Sequence, residues 1–443
     1  MASADSRDSL QLCRSDRNPH PDRADYPGSI HKAKENRVTI STTRYPQGLV
    51  LYEWKPLYYR LFRQGWMLLQ SLSGVNIMEV CTPGGDEVAR REQYIFATEY
   101  NKKPHHILRK LLIAILAIVL LGFLVNVVYN YNLVYIRQQI TVANLPDDLE
   151  QFSILHLSDL NGRKGMGKRI SRALGTRIYS CVVMTGDMIG RDGDIEGLLE
   201  VVEALPKNIP ILMIPGDMDP DYLDPMGHAG LTPYADWAEK LIKAGVTILD
   251  EPYLMTRGRN DRSRIWFIPE ELYSMDLKGL ETTYAGVLSR LPEGSLTADQ
   301  AAQKRVAEYQ IARARRIQET VRTIGADDIQ VAVAHYPLTE SLTETLIGWK
   351  ETTETFSLRR VSLIMAGHYC AGQWRIPGAG ALYVPELGWF PDDELIVGRH
   401  YIGRIPQYIS PGLGASGSYP YMPFRLFNNP SVSSLELTQK LVQ

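Results

Sequence analysis

Five short apolar segments of this chain each end in an aspartate or a histidine. In the first, Ile154–Leu157 is followed by Ser158 and Asp159. Short apolar segments of this kind are typical of buried strands. Because the carboxyl ends of parallel strands meet at one edge of a sheet, we expect the five polar residues to lie close together. The other four segments are 181–187, 211–217, 331–335 and 363–368.

Helical patterns separate these segments and define the fold class. Residues 168–178, 195–205 and 236–244 have the length and spacing of crossover helices, and strands that alternate with such helices form parallel βαβ units. A longer helix is predicted from Thr297, an N-cap with Gln300 three residues on, to about Ile324. The sequence therefore predicts an α/β domain. Carboxylates and imidazoles at one sheet edge further indicate a metal site.

An apolar segment at Leu111–Val128 is interrupted only by Gly122 and Asn126. At about 1.5 Å per residue, roughly 18 helical residues reach about 27 Å, close to the hydrocarbon thickness of a bilayer. This predicts a single-pass anchor in the cell membrane. Arg137 is the nearest basic residue after it, whereas four basic residues precede it, which predicts a cytoplasmic N-terminus and an extracytoplasmic C-terminal domain. Those four are Lys102, Lys103, Arg109 and Lys110.

The organisation of the chain follows from the anchor. We predict a disordered tail over 1–37, a cytoplasmic region of unknown role over 38–110, the anchor over 111–130, a connector over 131–150 and the domain over 151–435. Within the cytoplasmic region, the apolar stripe at 54–69 fits either an amphipathic helix on the membrane or a helix packed in a small module. A net charge of −2 gives no reason to expect nucleic acid as a partner, and four cysteines without paired spacing argue against a disulfide framework.

Together, the strand-end motifs form an ordered series. Two further segments, Gly372–Pro377 and Pro411–Gly417, come after it. Over roughly residues 145–435 the series resembles the calcineurin-like metallophosphoesterase superfamily, in particular its membrane-anchored bacterial branch. That resemblance implies an α/β/β/α sandwich with two metal ions bridged by the aspartate of the second motif. The motifs are His156-Leu157-Ser158-Asp159-Leu160-Asn161, Thr185-Gly186-Asp187, Pro215-Gly216-Asp217-Met218-Asp219, Ala334-His335-Tyr336-Pro337 and Ala366-Gly367-His368-Tyr369-Cys370.

The motifs depart from the family pattern at three places. Asn161 stands where a histidine is expected, Asp217-Met218 where Asn-His is expected, and Cys370 where the last histidine is expected. By resemblance, Asp187 and Asp217 are the catalytic residues. One metal (Mn, Zn or Fe) would have a complete ligand set, whereas the set for a second metal is weaker because an amide oxygen replaces an imidazole. The first set is Asp187, Asp217, His335 and His368, and the second is Asp159, Asn161, Asp187 and Cys370.

Met218 bears most directly on the rate of reaction. The family's histidine at this place is thought to assist the leaving group, and a thioether has no proton to give. Loss of general-acid help typically costs about 10²- to 10⁴-fold in rate. His228 lies about ten residues further on and either compensates or is a histidine of a surface loop.

Two functions from different classes remain open. The first is a membrane-anchored enzyme that hydrolyses a phosphoester or phospholipid-like small molecule by metal-activated water, with impaired or specialised activity. The second is a catalytically inactive protein of the same fold that binds a phosphorylated envelope ligand or a protein partner. The complete four-residue set favours the enzyme, whereas the joint change at Asn161, Met218 and Cys370 favours the inactive relative.

Overall fold

The computed structural model describes residues 104–190, 193–224, 233–348, 355–419 and 421–440. The predicted tail over 1–37, the apolar stripe at 54–69 and His228 lie outside these residues. The predicted α/β fold class is confirmed, because two mixed sheets are combined with helices that cover them.

The first helix, α1 (Pro104–Tyr131), contains the predicted anchor. Its segment His106–Tyr131 is long and apolar enough to cross a membrane, and most of its apolar side chains are exposed. Exposed apolar side chains over this length are what a lipid-facing helix requires. The membrane anchor and its orientation stay predictions.

The first sheet has six strands in the order β1–β16–β2–β3–β4–β5. Strands β2 to β5 are parallel to one another, β16 is antiparallel to β2, and β1 is parallel to β16. The ranges are β1 (Val134–Thr141), β2 (Ser153–Leu157), β3 (Cys181–Thr185), β4 (Ile211–Ile214), β5 (Val246–Ile248) and β16 (Ser431–Thr438).

The strand β1 lies within residues 131–150, where the sequence predicted a connector. For these residues the prediction is wrong. All eight residues of β1 pair with β16, and Ile140 is fully buried in the core. The sequence of this strand does not alternate strictly between apolar and polar residues, but Arg137 and Gln139, two positions apart on one face, are exposed, as expected for an edge strand.

The second sheet also has six strands, in the order β14–β15–β9–β8–β7–β6. Two small hairpins, β10–β11 and β12–β13, lie between β9 and β14 in the chain. The ranges are β6 (Tyr253–Arg257), β7 (Ser263–Pro269), β8 (Ile329–Val333), β9 (Val361–Ala366), β10 (Arg375–Ile376), β11 (Gly380–Ala381), β12 (Tyr383–Val384), β13 (Gly388–Trp389), β14 (Gly398–Ile402) and β15 (Ile405–Ile409).

The two sheets pack face to face. One hydrophobic cluster joins Ile154 and Val183 of the first sheet to Phe267 and Val331 of the second, and all four are fully buried. Helices cover the outer faces, and their apolar residues belong to the clusters of the sheet beneath them. On the first sheet lie α2 (Gly167–Leu174), α3 (Glu196–Ala204) and α4 (Asp236–Lys243), and on the second α5 (Leu277–Leu288), α6 (Ala298–Thr323) and α7 (Glu340–Gly348).

The helix α6 begins with the predicted capping box. Removing the Thr297 hydroxyl should lower the free energy of unfolding. Oγ1 of Thr297 accepts a hydrogen bond from the backbone nitrogen of Gln300, and the Gln300 side chain accepts one from Thr297. We expect Thr297→Ala to lower the free energy of unfolding by about 1 kcal/mol, measured by urea denaturation in detergent. Thr297→Ser, which keeps the hydroxyl, should stay close to wild type. Equal loss in both variants would contradict the capping role.

Candidate metal centre

Four side chains come together where β3, β4, β8 and β9 end. Among the described residues, Asp187, Asp217, His335 and His368 each offer a ligand atom, and these atoms all lie within 4.8 Å of one another. A metal ion bound to nitrogen and oxygen at about 2.1 Å requires ligand atoms within about 4.2 Å. Small side-chain movements would therefore suffice for all four to bind one ion, as the sequence predicted for the first set.

The ring of His335 is held from behind by the backbone. Its Nδ1 donates to the carbonyl oxygen of Thr185 at 2.8 Å, which leaves Nε2 facing the cluster. There, Nε2 lies 2.8 Å from Oδ1 of Asp217 and 3.4 Å from Oδ1 of Asp187. A backbone acceptor of this kind fixes which nitrogen is free to bind a metal.

The ring of His368 is held by Glu386, a residue that the sequence did not point to. Its Nε2 donates to Oε1 of Glu386 at 3.0 Å, while Nδ1 lies 3.4 Å from Oδ1 of Asp217. A carboxylate behind a histidine is the usual arrangement around metal-binding imidazoles, where it fixes the ring and raises its basicity. Glu386 lies in the turn between β12 and β13, outside every strand-end motif, so only the folded geometry identifies it.

Burial and mutual charge set the protonation of the cluster. Burial raises the pKa of Asp187 to about 7, against the lowering effect of His335. Burial alone would lower the pKa of His335 and His368, but their hydrogen bonds to Asp217, together with neighbouring carboxylates, raise both to about 9. In the metal-free protein the imidazoles therefore carry protons that balance the carboxylates.

Metal affinity should consequently depend on pH. Because their neighbours raise the pKa of both imidazoles without metal, a bound proton must leave before both facing nitrogens, which lie 3.2 Å apart, can bind, and affinity should rise with pH. Each released proton changes affinity by about tenfold per pH unit. We expect the Mn²⁺ dissociation constant to fall at least tenfold per unit between pH 6 and 8. Calorimetric titration in buffers of different ionisation enthalpy would count the protons. Affinity independent of pH, with no proton release, would contradict this account.

Several site residues adopt a backbone conformation that side chains usually avoid. The φ angle is +55° at Asp187, +71° at His368, +52° at Asp159 and +49° at Cys370. Positive φ is uncommon for residues other than glycine and costs free energy, so it persists only where the surrounding structure enforces it. Such a concentration of left-handed residues at one sheet edge is typical of functional sites.

The second predicted ligand set is only partly assembled. Asp159 and Cys370 do not belong to the four-residue group. Oδ1 of Asp159 accepts from the backbone nitrogen of His368 at 3.1 Å, and Asn161 donates its backbone nitrogen to the carbonyl of Asp187 at 2.8 Å. Burial, followed by the charge of Asp159, raises the pKa of the Cys370 thiol well above its ordinary value, which disfavours the thiolate that a metal needs. A second metal therefore stays a prediction.

Met218 and Tyr336 also lie beside the cluster and differ in whether they carry a proton to transfer. The backbone nitrogen of Met218 donates to Oδ1 of Asp187 at 2.9 Å, and its sulfur accepts from Oγ of Ser418 at 3.5 Å. Tyr336, which the sequence analysis did not single out as a site residue, stacks on His368 with ring centroids 4.0 Å apart, and its hydroxyl interacts with Asp217. Tyr336 therefore brings a transferable proton to the site, whereas Met218 brings none.

Comparison with known proteins gives no family assignment. No family model matches this chain, and no curated protein matches it. Among solved structures, it is similar to the phosphopantetheinyl hydrolase from Mycobacterium tuberculosis, at 13% sequence identity and a TM-score of 0.28. The similarity covers 60% of this chain and 91% of that one. Similarity this distant carries no argument about activity, so the candidate metal centre is interpreted from its own geometry.

Proposed function

We propose that this chain is a membrane-anchored, metal-dependent phosphoester hydrolase of the calcineurin-like type. The observation that carries the proposal is the convergence of Asp187, Asp217, His335 and His368 within 4.8 Å at the carboxyl edge of the strands. Two carboxylates and two imidazoles form a donor set suited to Mn, Zn or Fe.

The surroundings of the cluster support a cation. Oδ2 of Asp187 and Oδ2 of Asp159 are buried and have no hydrogen-bond partner among the described residues. A buried carboxylate oxygen without a partner is costly, so each such oxygen normally faces a cation or an ordered water. The unpaired oxygen of Asp187, a member of the four-residue group, is the position that a metal would satisfy.

The chemistry divides between the metal and the chain. When bound, a divalent metal would polarise a phosphoryl oxygen and activate a water molecule. The chain's own part is orientation, because Thr185 and Glu386 hold the imidazoles of His335 and His368 in place. Proton supply to the leaving group is weak, since Met218 has no proton to donate and the hydroxyl of Tyr336 has a raised pKa. This arrangement supports hydrolysis of esters with good leaving groups, which agrees with impaired or specialised activity.

The test combines metal content with turnover. The full chain, purified in detergent and loaded with Mn²⁺ or Zn²⁺, should retain about one equivalent of metal and hydrolyse a bis-aryl phosphate. Asp187→Ala should lower both metal affinity and hydrolysis by at least about 10²-fold, since loss even of a residue behind a ligand costs about 10- to 100-fold. Asp299→Ala, an exposed carboxylate in the first turn of α6, is the matched control. Absence of metal after loading would overturn the proposal.

The catalytically inactive relative is the second candidate. It is favoured by the protonated Cys370 thiol and by the lack of a proton at Met218. This candidate predicts metal binding, together with saturable binding of a phosphorylated ligand, but no turnover above the metal-only rate. Turnover that is lost in Asp187→Ala would exclude it.

The proposed location is the cell membrane, with the domain on the extracytoplasmic side. The support is the excess of basic residues before α1 and the apolar length of α1 itself. A reporter enzyme that works only in the cytoplasm, fused after Gln443, should be inactive in cells. An active fusion would reverse the orientation.

A further inference from the structure

We infer that the metal-site edge of the domain faces the bilayer that holds α1, and that an apolar surface beside the site enters that bilayer. The inference rests on the proposed function and names its substrate class, a phosphoester carried by a membrane lipid. We call this surface the lipid-facing surface. It consists of Ile376, Leu387, Trp389, Phe390, Leu395 and Phe424, with exposed fractions of 38% to 67%.

Strand direction places the anchor at the metal-site edge. The strand β1 is parallel to β16, and β16 is antiparallel to β2, so β1 begins where β2 ends. Val134, the first residue of β1, pairs with Ser431, only two residues before Ser433, which pairs with His156 near the end of β2. Because α1 ends at Tyr131, the anchor leaves the membrane at the edge that carries Asp159 and Asp187.

Hydrogen bonds then fix α1 to the loop that precedes β16. Nδ2 of Asn130 donates to the carbonyl of Arg425 at 2.8 Å, and Nδ2 of Asn429 donates to the carbonyl of Tyr129 at 2.8 Å. From the other side, Arg163 donates to the carbonyl of Asn130 at 3.1 Å. With bonds to two separate loops, the end of α1 is part of the domain surface rather than a free tether.

Gly122 and Asn126, which interrupt the apolar segment, show how far along α1 the contact with the loop before β16 extends. The backbone nitrogen of Phe427 donates to Oδ1 of Asn126 at 2.8 Å, and a Cβ atom added at Gly122 would lie 4.0 Å from the Phe427 ring. Gly122 is about 14 Å from Tyr131 along the helix axis. Phe427 therefore lies beside residues of the span, at a depth where backbone donors need a partner within the protein, and Asn126 provides it.

The hairpins of the lipid-facing surface lie next to this contact. A cavity of about 510 Å³ is lined by Tyr129 and Phe427 together with residues 375–380 and 391–393. Exposed tryptophan and phenylalanine side chains beside a membrane helix are typical of residues that enter the lipid interface. The lipid-facing surface therefore has a specific occupant, the leaflet in which α1 ends.

The hairpin β12–β13 connects the lipid-facing surface to the metal site. Trp389 ends β13, and three residues before it Glu386 holds His368 through the 3.0 Å hydrogen bond. Three residues of chain span at most about 11 Å. A phosphoester at the level of lipid head groups would thus be close to the cluster, whereas a substrate in bulk water would have to enter between the domain and the membrane.

The first experiment tests the membrane contact without requiring catalysis. The full chain is placed in dioleoylphosphatidylcholine vesicles with and without dibrominated phosphatidylcholine, which quenches tryptophan in contact with lipid. The emission contributed by Trp389, obtained by comparison with Trp389→Phe, should fall at least twofold. The emission contributed by Trp266, which is 5% exposed in the core, should be unchanged. Unquenched Trp389 emission would overturn the inference even for an active enzyme.

The second experiment tests the substrate class by competition. Hydrolysis of a bis-aryl phosphate is measured in vesicles containing phosphatidic acid and phosphatidylglycerol, and again with glycerol phosphate at the same bulk concentration. The lipids should inhibit at least tenfold more strongly, and Trp389→Asp combined with Phe390→Asp should remove this advantage. Ile178→Asp, an exposed apolar position near the start of β3 at the opposite edge, should keep it. Equal inhibition by glycerol phosphate would overturn the lipid substrate, whereas absence of any hydrolysis would instead refute the proposed function.

Discussion

Met218→His is expected to raise kcat for a phosphodiester with a poor leaving group by about 10²- to 10⁴-fold, the range that general-acid help supplies. Met218 adjoins the cluster, since its backbone nitrogen donates to Asp187, and its side chain is nearly buried. Methionine and histidine are similar in size, so the exchange need not disturb the fold. The measurement is kcat for an alkyl ester and an aryl ester with the full chain, loaded with Mn²⁺.

The matched control is Met218→Leu, which changes the side chain without adding a proton. It should leave kcat close to wild type for both esters. For Met218→His the gain should be larger for the alkyl ester, because a poor leaving group depends most on protonation. An equal response of the two variants would mean that proton supply does not limit this site, and the importance given to Met218 would be wrong.

Arg425→Met is expected to lower the free energy of unfolding by at least about 3 kcal/mol, because several buried carbonyl oxygens lose their donor at about 1–3 kcal/mol each. Arg425 is 1% exposed, and its guanidinium donates to the carbonyls of Pro411, Gly414, Asn428 and Asn429. Without it, these oxygens lose their donor in a region with little access to water. Urea denaturation in detergent, followed by near-ultraviolet circular dichroism, would measure the loss.

Two variants separate the causes of this effect. Arg425→Lys keeps the charge but cannot reach four carbonyls with one ammonium, so it should recover little of the lost stability. Arg315→Met removes an exposed arginine of α6 that pairs with Glu281, and should cost less than about 1 kcal/mol. Full stability in Arg425→Lys would show that charge, rather than the planar donor geometry, holds these loops.

Much of the candidate metal centre could be predicted because parallel strands deliver their ends to one edge. The apolar segments before Asp187, Asp217, His335 and His368 each form a strand, and the four side chains meet as the segment order implied. Glu386 and Tyr336 could not be predicted in this way. Glu386 is placed by a short irregular hairpin, and Tyr336 acquires its role from stacking on His368 in the folded protein.

The fold was predictable where a local pattern decides the structure. The capping box at Thr297 and the crossover helices depend on neighbouring residues. They form where predicted, except that α2 ends at Leu174 rather than at residue 178. The strand β1 was missed because its short, partly polar sequence signals a strand weakly, and it is stabilised by a partner at the far end of the chain. Asn126 and Gly122 likewise appeared only as interruptions until their contacts with Phe427 were visible.

The position of β16 between β1 and β2 has a consequence for biogenesis. The strand that follows α1 is made early, yet 299 residues separate Arg137 from its ion-pair partner Glu436. Until the ribosome has finished the C-terminal strand, β1 has no partner from β16 and one edge of β2 stays open, and unpaired edges favour aggregation. Closure of the first sheet is therefore a late, long-range step. A nascent chain cut short before Ser431 would expose unpaired edges of β1 and β2, and such a chain is a natural target for chaperones and proteases.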